Sequence, residues 1–247
     1  MSTVVLITGG NRGIGKGLVA HYLAQPATTV IATAREVSSQ NASAFDTLQR
    51  GDRSRLLIVQ LSVDIASSIA EAASVIEKHH HIHHIDTVIS NAGICDHWGP
   101  VLEMRDADVL THFQVNTLGP LRLFQALAQL LKNASAPKFI YISTALASIS
   151  GINQMNSWTA AYGMSKAAGN YLMRKINAEN GDLITLSIDP GLVQTDMGAR
   201  AAQFNGLEKA PLAIEDTVRG ITNQIAAATK STTSGQFVDY NGVEVAW

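Results

Sequence analysis

The sequence predicts an α/β fold: one doubly wound parallel sheet of about seven strands, flanked by helices. Three observations support this prediction. Short apolar, β-branched runs alternate along the chain with longer segments of helical periodicity, the order that produces parallel sheets. The short runs are apolar at nearly every position, which is typical of strands covered on both faces. A glycine-rich turn joins the first run to the first helical segment.

The composition suits a single domain over residues 1–247. Hydrophobic residues make up 46% of the chain and charged residues 15%, enough for a large core. No apolar run of about 18 residues and no leader is visible, so we expect a cytoplasmic protein without membrane contact. The net charge of −2 gives no reason to expect nucleic acid binding. The single cysteine, Cys95, excludes an intrachain disulfide and fits a reducing compartment.

The first strand is predicted over residues 3–7, and the first helix runs from about Ile14 until Pro26 ends it. Glycines in the turn between them let a ligand approach the backbone, and the free N–H groups of the first helical turn face an anion. The turn therefore predicts a pyrophosphate site. It comprises Gly9, Asn11, Arg12, Gly13, Ile14 and Gly15.

The second strand, residues 28–33, leads into Arg35 and Glu36, where the adenosine ribose of a dinucleotide would lie. An arginine can pair with a 2′-phosphate through its planar fork, whereas an acidic residue favours a free 2′-hydroxyl. Arg35 and Arg12 together favour NADP(H), and Glu36 opposes that choice. The alternative for either arginine is a solvated surface charge.

A polar segment, residues 38–53, contains a predicted short helix at 42–49 and precedes a third strand at 55–61. A helix from about 66 to 78 then leads into a run with five histidines between His79 and His84. Consecutive histidines cannot all point at one ion, and no carboxylate or thiolate cluster accompanies them. We therefore expect a solvated connection, not a metal site.

The fourth strand, residues 85–90, ends in Asn91-Ala92-Gly93. Small residues at the carboxyl end of a parallel strand let a cofactor approach the backbone, although Asn and Gly also suit an ordinary turn. The long helical region 106–131 places Asn116 on an otherwise apolar face. A buried amide needs partners, and a structural amide bridging two backbone groups is one interpretation.

The fifth strand, residues 138–144, ends in the hydroxyls of Ser143 and Thr144. A helix running to about residue 178 then opens with Tyr162 and Lys166, whose spacing of four puts them on one face. A nearby ammonium favours the phenolate and lowers the phenol pKa from roughly 10, so the tyrosine becomes usable as a general acid or base. A neighbouring hydroxyl can stabilise charge on a substrate oxygen.

The sixth strand, residues 183–188, is followed by a Pro190-Gly191 bend that we expect to lie over the cofactor site. Backbone N–H groups near Val193 and the Thr195 hydroxyl are candidates for contacting the cofactor. Residues 198–211 are expected to form a flexible lid, and a helix at 214–229 and a strand at 235–240 complete the fold. The segment 150–159, with Ile152, Met155 and Trp158, is expected to line the substrate pocket; otherwise Trp158 covers the helix start.

These motifs, in this order, resemble the short-chain dehydrogenase/reductase family over nearly the whole chain. The family's T-G-x-x-x-G-I-G turn matches Thr8 to Gly15, and its Asn-Ala-Gly tripeptide matches residues 91–93. Its Y-x-x-x-K pair matches Tyr162 and Lys166, and its P-G-x-V-x-T-D-M element matches residues 190–197. The overall pattern looks closest to the fungal ketoreductase branch of the norsolorinic acid ketoreductase kind.

The resemblance implies a Rossmann-like fold and hydride transfer between NADP(H) and a small-molecule carbonyl or alcohol, with a role in secondary metabolism. Tyr162 would be the general acid, and Lys166 would tune its pKa and bind the ribose. Strand register puts the family's catalytic serine on Thr144, with Ser143 as second choice and Ser148 as third. Asn116 would hold a water in the proton path from within a bulged helix. The family's oligomers imply a homodimer or homotetramer.

At the adenine-contacting position of the family, where an acidic residue is usual, strand register places Ser62, with Val63 beside it and Asp64 two positions late. The motifs and the resemblance together imply this cofactor-binding set: Gly9, Asn11, Arg12, Gly13, Ile14, Gly15, Arg35, Ser62, Val63, Asn91, Ala92, Gly93, Tyr162, Lys166, Pro190, Gly191, Val193 and Thr195.

Two other functions stay open at this point. One is a binding protein that senses NADP(H) without turnover, against which the intact Tyr162/Lys166 pair argues. The other is an enzyme that uses the bound cofactor as a scaffold for a non-redox cyclisation or isomerisation. Threonine at position 144 and the inserted segment 150–159 leave that second alternative open.

Overall fold

A computed structural model of the chain describes residues 2–37, 45–154 and 157–247. Its seven strands form one parallel sheet in the order β3-β2-β1-β4-β5-β6-β7, which confirms the predicted fold class. The strands are β1 Thr3–Ile7, β2 Thr28–Ala34, β3 Arg55–Gln60, β4 Thr87–Ser90, β5 Lys138–Ile142, β6 Ile184–Asp189 and β7 Gln236–Asp239.

The strand order reverses between β1 and β4. From β1 the chain adds β2 and β3 on one side, and then returns to add β4 to β7 on the other. Thr8, just beyond β1, donates its backbone N–H to the carbonyl of Ile89 in β4 at 3.1 Å, so the two strand ends stay side by side. In open parallel sheets such a reversal leaves a crevice at the carboxyl ends of the strands, where ligands bind.

Helices cover both faces of the sheet. Besides the regular helices, wider turns of π type lie at Val75–His79 and Gln114–Leu118. Turns of 3₁₀ type lie at Val101–Glu103, Ala145–Ala147 and Ile152–Gln154. The helices are α1 Gly13–Leu23, α2 Ala66–Ser74, α3 Asp106–Phe113, α4 Gly119–Lys132, α5 Ala160–Glu179, α6 Asp196–Phe204 and α7 Ile214–Ala227.

The core consists of two apolar layers, one on each face of the sheet. Val4 and Leu6 of β1 pack in the layer covered by α2, α4 and α5, whereas Val5 and Ile7 pack in the layer covered by α1 and α7. Successive side chains of a strand point to opposite faces, so a strand covered on both sides is apolar throughout. This packing is the reason why the strand sequences show no alternation.

Two predicted segments differ in detail. The short helix expected at 42–49 lies partly outside the described residues, and within its described part residues 45–47 form a turn. The expected lid, residues 198–211, starts within helix α6, so its first half is regular structure. Within the described residues, no helix is both long enough and apolar enough to span a bilayer.

Candidate active site

A cleft of about 1650 Å³ lies along the carboxyl edge of the sheet. The glycine turn, the ends of β2, β4 and β5, the start of α5 and the segment after β6 line it. It therefore brings together residues that are far apart in the sequence. The predicted site residues in its lining are Gly9, Asn11, Arg12, Gly13, Ile14, Gly15, Arg35, Val63, Asn91, Ala92, Gly93, Ser143, Tyr162, Lys166, Pro190 and Thr195.

The glycine turn has the shape that a pyrophosphate site requires. Gly9 and Gly13 have φ angles of 65° and 53°, a backbone conformation that residues other than glycine rarely adopt. A Cβ atom on Gly15 would lie 2.1 Å from the carbonyl oxygen of Gly9, so only glycine fits there. The first turn of α1 can therefore come close to a bound anion.

Thr8 fixes this turn against the end of β4. Its hydroxyl oxygen accepts the backbone N–H groups of Asn91 and Ala92, both at 3.0 Å. The side-chain amide of Asn91 donates in return to the Thr8 carbonyl at 2.9 Å. The two predicted cofactor segments are thus one hydrogen-bonded unit, and Thr8 supports both of them.

The nucleotide end of the cleft carries two arginines. Arg12 pairs with Asp196 at 3.2 Å, and both side chains are well exposed. Arg35 is exposed and lines the cleft beside Glu36. Both arginines therefore line the cleft, Arg35 just after β2, where the sequence predicts the adenosine ribose, and Arg12 with its guanidinium on the segment after β6.

The adenine position brings one further residue to the cleft. The hydroxyl of Ser62 donates to the Asp64 carboxylate at 2.6 Å, and Ser62 does not line the cleft. Val63 and Asp64 do line it. The turn after β3 thus brings the acidic residue that seemed two positions late to the cleft, and a contact of Ser62 with adenine stays a prediction.

Tyr162 and Lys166 lie on one face of α5 and are almost fully buried, with 8% and 3% of their surfaces exposed. The Lys166 amine donates to the carbonyl of Ile142 at 2.7 Å and lies 5.9 Å from the centroid of the Tyr162 ring. Burial lowers the pKa of Lys166 to about 7, because the charged form loses its hydration.

The pKa of Tyr162 moves against expectation. Burial raises it above its ordinary value, and the neighbouring Cys95 and Asp189 add to the rise. A hydrogen bond with the Thr144 hydroxyl acts in the opposite direction. The expected lowering by Lys166 is therefore wrong for the structure as it stands, and the phenol is held in its protonated form.

The three candidate hydroxyls have different partners. Ser143 lines the cleft, but its hydroxyl donates to the Asn170 amide oxygen at 2.7 Å. The Ser148 hydroxyl accepts the Gly151 N–H at 2.9 Å. The Thr144 hydroxyl accepts the Leu146 N–H at 3.3 Å and also acts on the Tyr162 phenol, whose pKa it lowers, although Thr144 is not part of the cleft lining. Of the three hydroxyls, Thr144 is therefore the one that interacts with the phenol, in line with the first choice from strand register.

Asn116 has no exposed surface and lies in the π-type turn, in agreement with the bulged helix that the resemblance implies. Its side-chain amide donates to the Ile94 carbonyl and accepts the Ile94 N–H, both at 2.9 Å, and also donates to the Ser165 hydroxyl at 3.0 Å. These contacts agree with the interpretation of Asn116 as a structural amide that bridges backbone groups. Its role in a proton path stays a prediction.

The segment after β6 folds over the cleft as the sequence indicated, but only part of it lines the cavity. Gly191 has a φ of 73° and donates its N–H to the Asp189 carboxylate at 3.2 Å. Val193 is buried, and neither Gly191 nor Val193 lines the cleft. The Thr195 hydroxyl accepts the Gly198 N–H at 3.1 Å and caps α6, so it has a structural partner besides its place in the lining.

The structure adds cleft residues that no local sequence signal marked. Asp96, after β4, pairs with Arg200 of α6 at 3.2 Å, and both line the cleft. The Arg200 guanidinium lies 5.7 Å from the Trp98 ring, which in turn lies 6.2 Å from the ring of Phe204. These contacts join the loop after β4 to helix α6, and only the folded chain brings them together.

The inserted segment 150–159 does not line the cleft in its described part, and Met155 lies outside the described residues. The Trp158 carbonyl accepts the Gly99 N–H at 2.8 Å just before α5 begins, and the residue is 47% exposed. In the described part of the chain, no group of three or more metal-ligating side chains is found, and the histidine run lies at the opposite edge of the sheet, before β4.

The family model for short chain dehydrogenase matches residues 3–206 of the chain. The chain belongs to the short-chain dehydrogenase/reductase family. It is similar to the norsolorinic acid ketoreductase of Emericella nidulans, with 43% identity over 250 residues that cover 99% of this chain and 94% of the relative. The corresponding enzyme of Aspergillus parasiticus is 39% identical over 251 residues, covering 99% and 91%. These relatives confirm the fungal branch that the sequence resembles.

A solved structure in the same family gives the same architecture. The NADPH-bound carbonyl reductase from chicken fatty liver superposes with a TM-score of 0.86 at 28% identity, covering 100% of both chains. Family membership and this shared fold support an oxidoreductase that uses a nicotinamide cofactor.

The buried amine gives the first testable prediction. Because the Lys166 pKa is lowered to about 7 in the folded state, the unfolded chain binds more protons above that pH. The unfolding free energy of the protein without cofactor should therefore rise between pH 7 and 9, by up to roughly 1.4 kcal/mol per pH unit from this group.

Chemical denaturation across that range would measure the effect, with Lys166→Met as the comparison that removes it. The predicted rise in the unfolding free energy is limited to pH values below about 9. Burial raises the pKa of the Cys95 thiol from 9.0 to about 12, and at higher pH this shift acts against the rise. Parallel curves for the two proteins would contradict the prediction.

Proposed function

We propose that this protein is an NADPH-dependent ketoreductase that reduces a small-molecule ketone in secondary metabolism. The observation that carries the proposal is that one cleft contains both the Tyr162–Lys166 pair and the glycine turn, with Thr144 acting on the phenol. A dinucleotide laid along this cleft would bring its reactive ring to the phenol. The names of the similar fungal proteins support a ketone as substrate.

The residues present fit NADP(H). The close approach of Gly15 to Gly9 leaves backbone N–H groups accessible for the pyrophosphate, and Arg12 and Arg35 offer positive charge for a 2′-phosphate. Asn91, Ala92 and Gly93 would border the nicotinamide half. When bound, the cofactor supplies the hydride, and the protein supplies position and protons.

Tyr162 would act as the general acid. Its raised pKa keeps the phenol protonated at neutral pH, which is the form that reduction needs, because the carbonyl oxygen gains a proton as it becomes a hydroxyl. The Thr144 hydroxyl would share the substrate oxygen with the phenol and stabilise the charge that develops on it. Burial of Tyr162 limits the access of water to its phenol.

Lys166 would bind the ribose and favour loss of the Tyr162 proton in the transition state. With a pKa near 7, its charge is sensitive to its surroundings, and the negative phosphates of a bound cofactor would favour the ammonium form. We further propose that segment 198–211 closes over the substrate, with the Asp96–Arg200 pair holding the lid helix to the β4 loop.

The second candidate, a protein that binds NADP(H) for sensing or as a scaffold, predicts cofactor affinity without NADPH consumption. Incubation with NADPH and a panel of aliphatic and aromatic ketones, with loss of NADPH absorbance as readout, separates the two. Turnover of any ketone supports the ketoreductase, whereas tight NADPH binding without turnover across the panel supports the alternative.

Replacement of the proposed acid gives the most direct test of mechanism. Tyr162→Phe should lower kcat by roughly 10²–10⁴-fold, because no other phenol reaches the substrate oxygen. NADPH affinity, measured by fluorescence titration, should stay within a small factor. Tyr171→Phe is the matched control on the same helix, because Tyr171 is 71% exposed and should leave activity unchanged. Near-native turnover by Tyr162→Phe would show that the proton comes from elsewhere.

Substitutions are expected to distinguish the roles of the Thr144 and Ser143 hydroxyls. Thr144→Ser should retain activity, and Thr144→Val should lose roughly 10²–10³-fold in kcat, since the oxyanion loses a donor. Ser143→Ala should mainly lower stability, by about 1–3 kcal/mol, because it leaves the buried Asn170 amide without its partner. Steady-state kinetics and denaturation curves on all three variants measure this. A larger loss of kcat in Ser143→Ala than in Thr144→Val would reverse the assignment.

Cofactor preference is expected to depend on Arg35. Arg35→Ala should raise KM for NADPH by roughly 10–100-fold, the loss of one or two charge-assisted hydrogen bonds, and leave KM for NADH nearly unchanged. Arg219→Ala serves as control, because Arg219 pairs with Asp216 on α7. An equal effect on both cofactors would mean that Arg35 does not bind the 2′-phosphate.

A further inference from the structure

Tyr141 of β5 is completely buried next to the proposed catalytic groups, three residues before Thr144. Its hydroxyl donates to the main-chain carbonyl of Asn116 at 2.8 Å, within the π-type turn. The centroid of its ring lies 4.5 Å from the Lys166 amine. One side chain therefore contacts both the amine and the turn that carries Asn116.

Helix α5 is shaped to accept this ring. A Cβ atom on Gly169 would lie 2.3 Å from the Tyr141 hydroxyl and 2.6 Å from the ring carbon that bears it. The helix can approach β5 this closely only because position 169, three residues beyond Lys166, is glycine. The position of Lys166 above the ring thus depends on two matched residues: Tyr141, with a large side chain on the strand, and Gly169, with no side chain on the helix.

The surroundings of the Lys166 amine explain what the ring contributes. In the described part of the chain, the groups that face this amine are the Ile142 carbonyl, the two rings of Tyr141 and Tyr162, and the Cys95 thiol. No carboxylate is among them. An aromatic face attracts a cation, most strongly where water is absent, so the nearer ring stabilises the charged form of the amine.

We propose that Tyr141 is a positioning residue for catalysis: its ring keeps the Lys166 amine charged and in place, and its hydroxyl fixes the turn that carries Asn116. The inference rests on the proposed function, in which Lys166 acts as an ammonium. Tyr141 touches neither the substrate nor the reacting atoms, so its effect is exerted through Lys166 and Asn116.

The test compares Tyr141→Phe and Tyr141→Leu with Phe139→Leu. Phe139 is equally buried, lies on the same face of the same strand and belongs to the same apolar layer, so it controls for loss of a buried ring. The readout is the pH dependence of kcat for ketone reduction. Tyr141→Met provides a second ring-free variant if the leucine protein folds poorly.

Removal of the ring should move the basic limb of kcat to lower pH by roughly half a unit to one and a half units, the shift that corresponds to the usual strength of a cation–ring contact. Tyr141→Phe keeps the ring and should leave the limb in place while kcat falls several-fold at every pH, because the Asn116 carbonyl loses its donor. Phe139→Leu should lower the melting temperature without moving the limb. If the basic limb of kcat lies at the same pH in the ring-free variants as in Phe139→Leu, the proposal is overturned.

A second measurement does not depend on turnover. In the protein without cofactor, the pH at which the unfolding free energy begins to rise reports the folded-state pKa of Lys166. Loss of the ring lowers that pKa further, so the rise should begin at lower pH in Tyr141→Leu than in Phe139→Leu. An unmoved onset would reject the role of Tyr141 even if the wild-type protein reduced no ketone, whereas a moved onset without turnover would reject only the proposed reductase activity.

Discussion

The site depends on one constraint: the amine of Lys166 lies inside the protein, between β5 and α5, without a carboxylate partner among the groups that face it. A buried cation is costly unless hydrogen bonds and favourable dipoles replace its hydration. Here the Ile142 carbonyl and the ring of Tyr141 do so. The close packing of α5 on β5 follows from the same need, because Gly169 leaves room for that ring.

A second constraint acts at the other end of the cleft, where backbone must face a ligand. Gly15 lies so close to Gly9 that no side chain fits between them, and Thr8 ties this turn to the end of β4 through two hydrogen bonds. The distance between the glycine turn and the buried amine is set by the central strands β1, β4 and β5. A rigid sheet would thereby fix the distance between the pyrophosphate and the nicotinamide ribose of a bound dinucleotide.

Much of the site could be predicted from sequence, because its parts are local. The spacing of Gly9, Gly13 and Gly15 and the four-residue step from Tyr162 to Lys166 each encode a geometry within one turn or helix. One residue, Asp64, was missed because the turn after β3 brings it to the cleft beside the predicted Val63. One prediction failed because it required contacts across the fold. The pKa of Tyr162 was predicted from its lysine neighbour alone, whereas burial by several elements outweighs that neighbour.

The sequence by itself determined the fold class, the strand and helix order, the glycine turn and the tyrosine–lysine pair, because periodicity and short-range spacing fix all of these within single elements. Only the tertiary structure decided which hydroxyl faces Tyr162, that the Asn116 side chain bridges the backbone of Ile94, and that Asp96 meets Arg200. It also revealed Tyr141 beneath the lysine. Burial and long-range hydrogen bonds arise from how separate elements pack, and no local pattern in the chain records that packing.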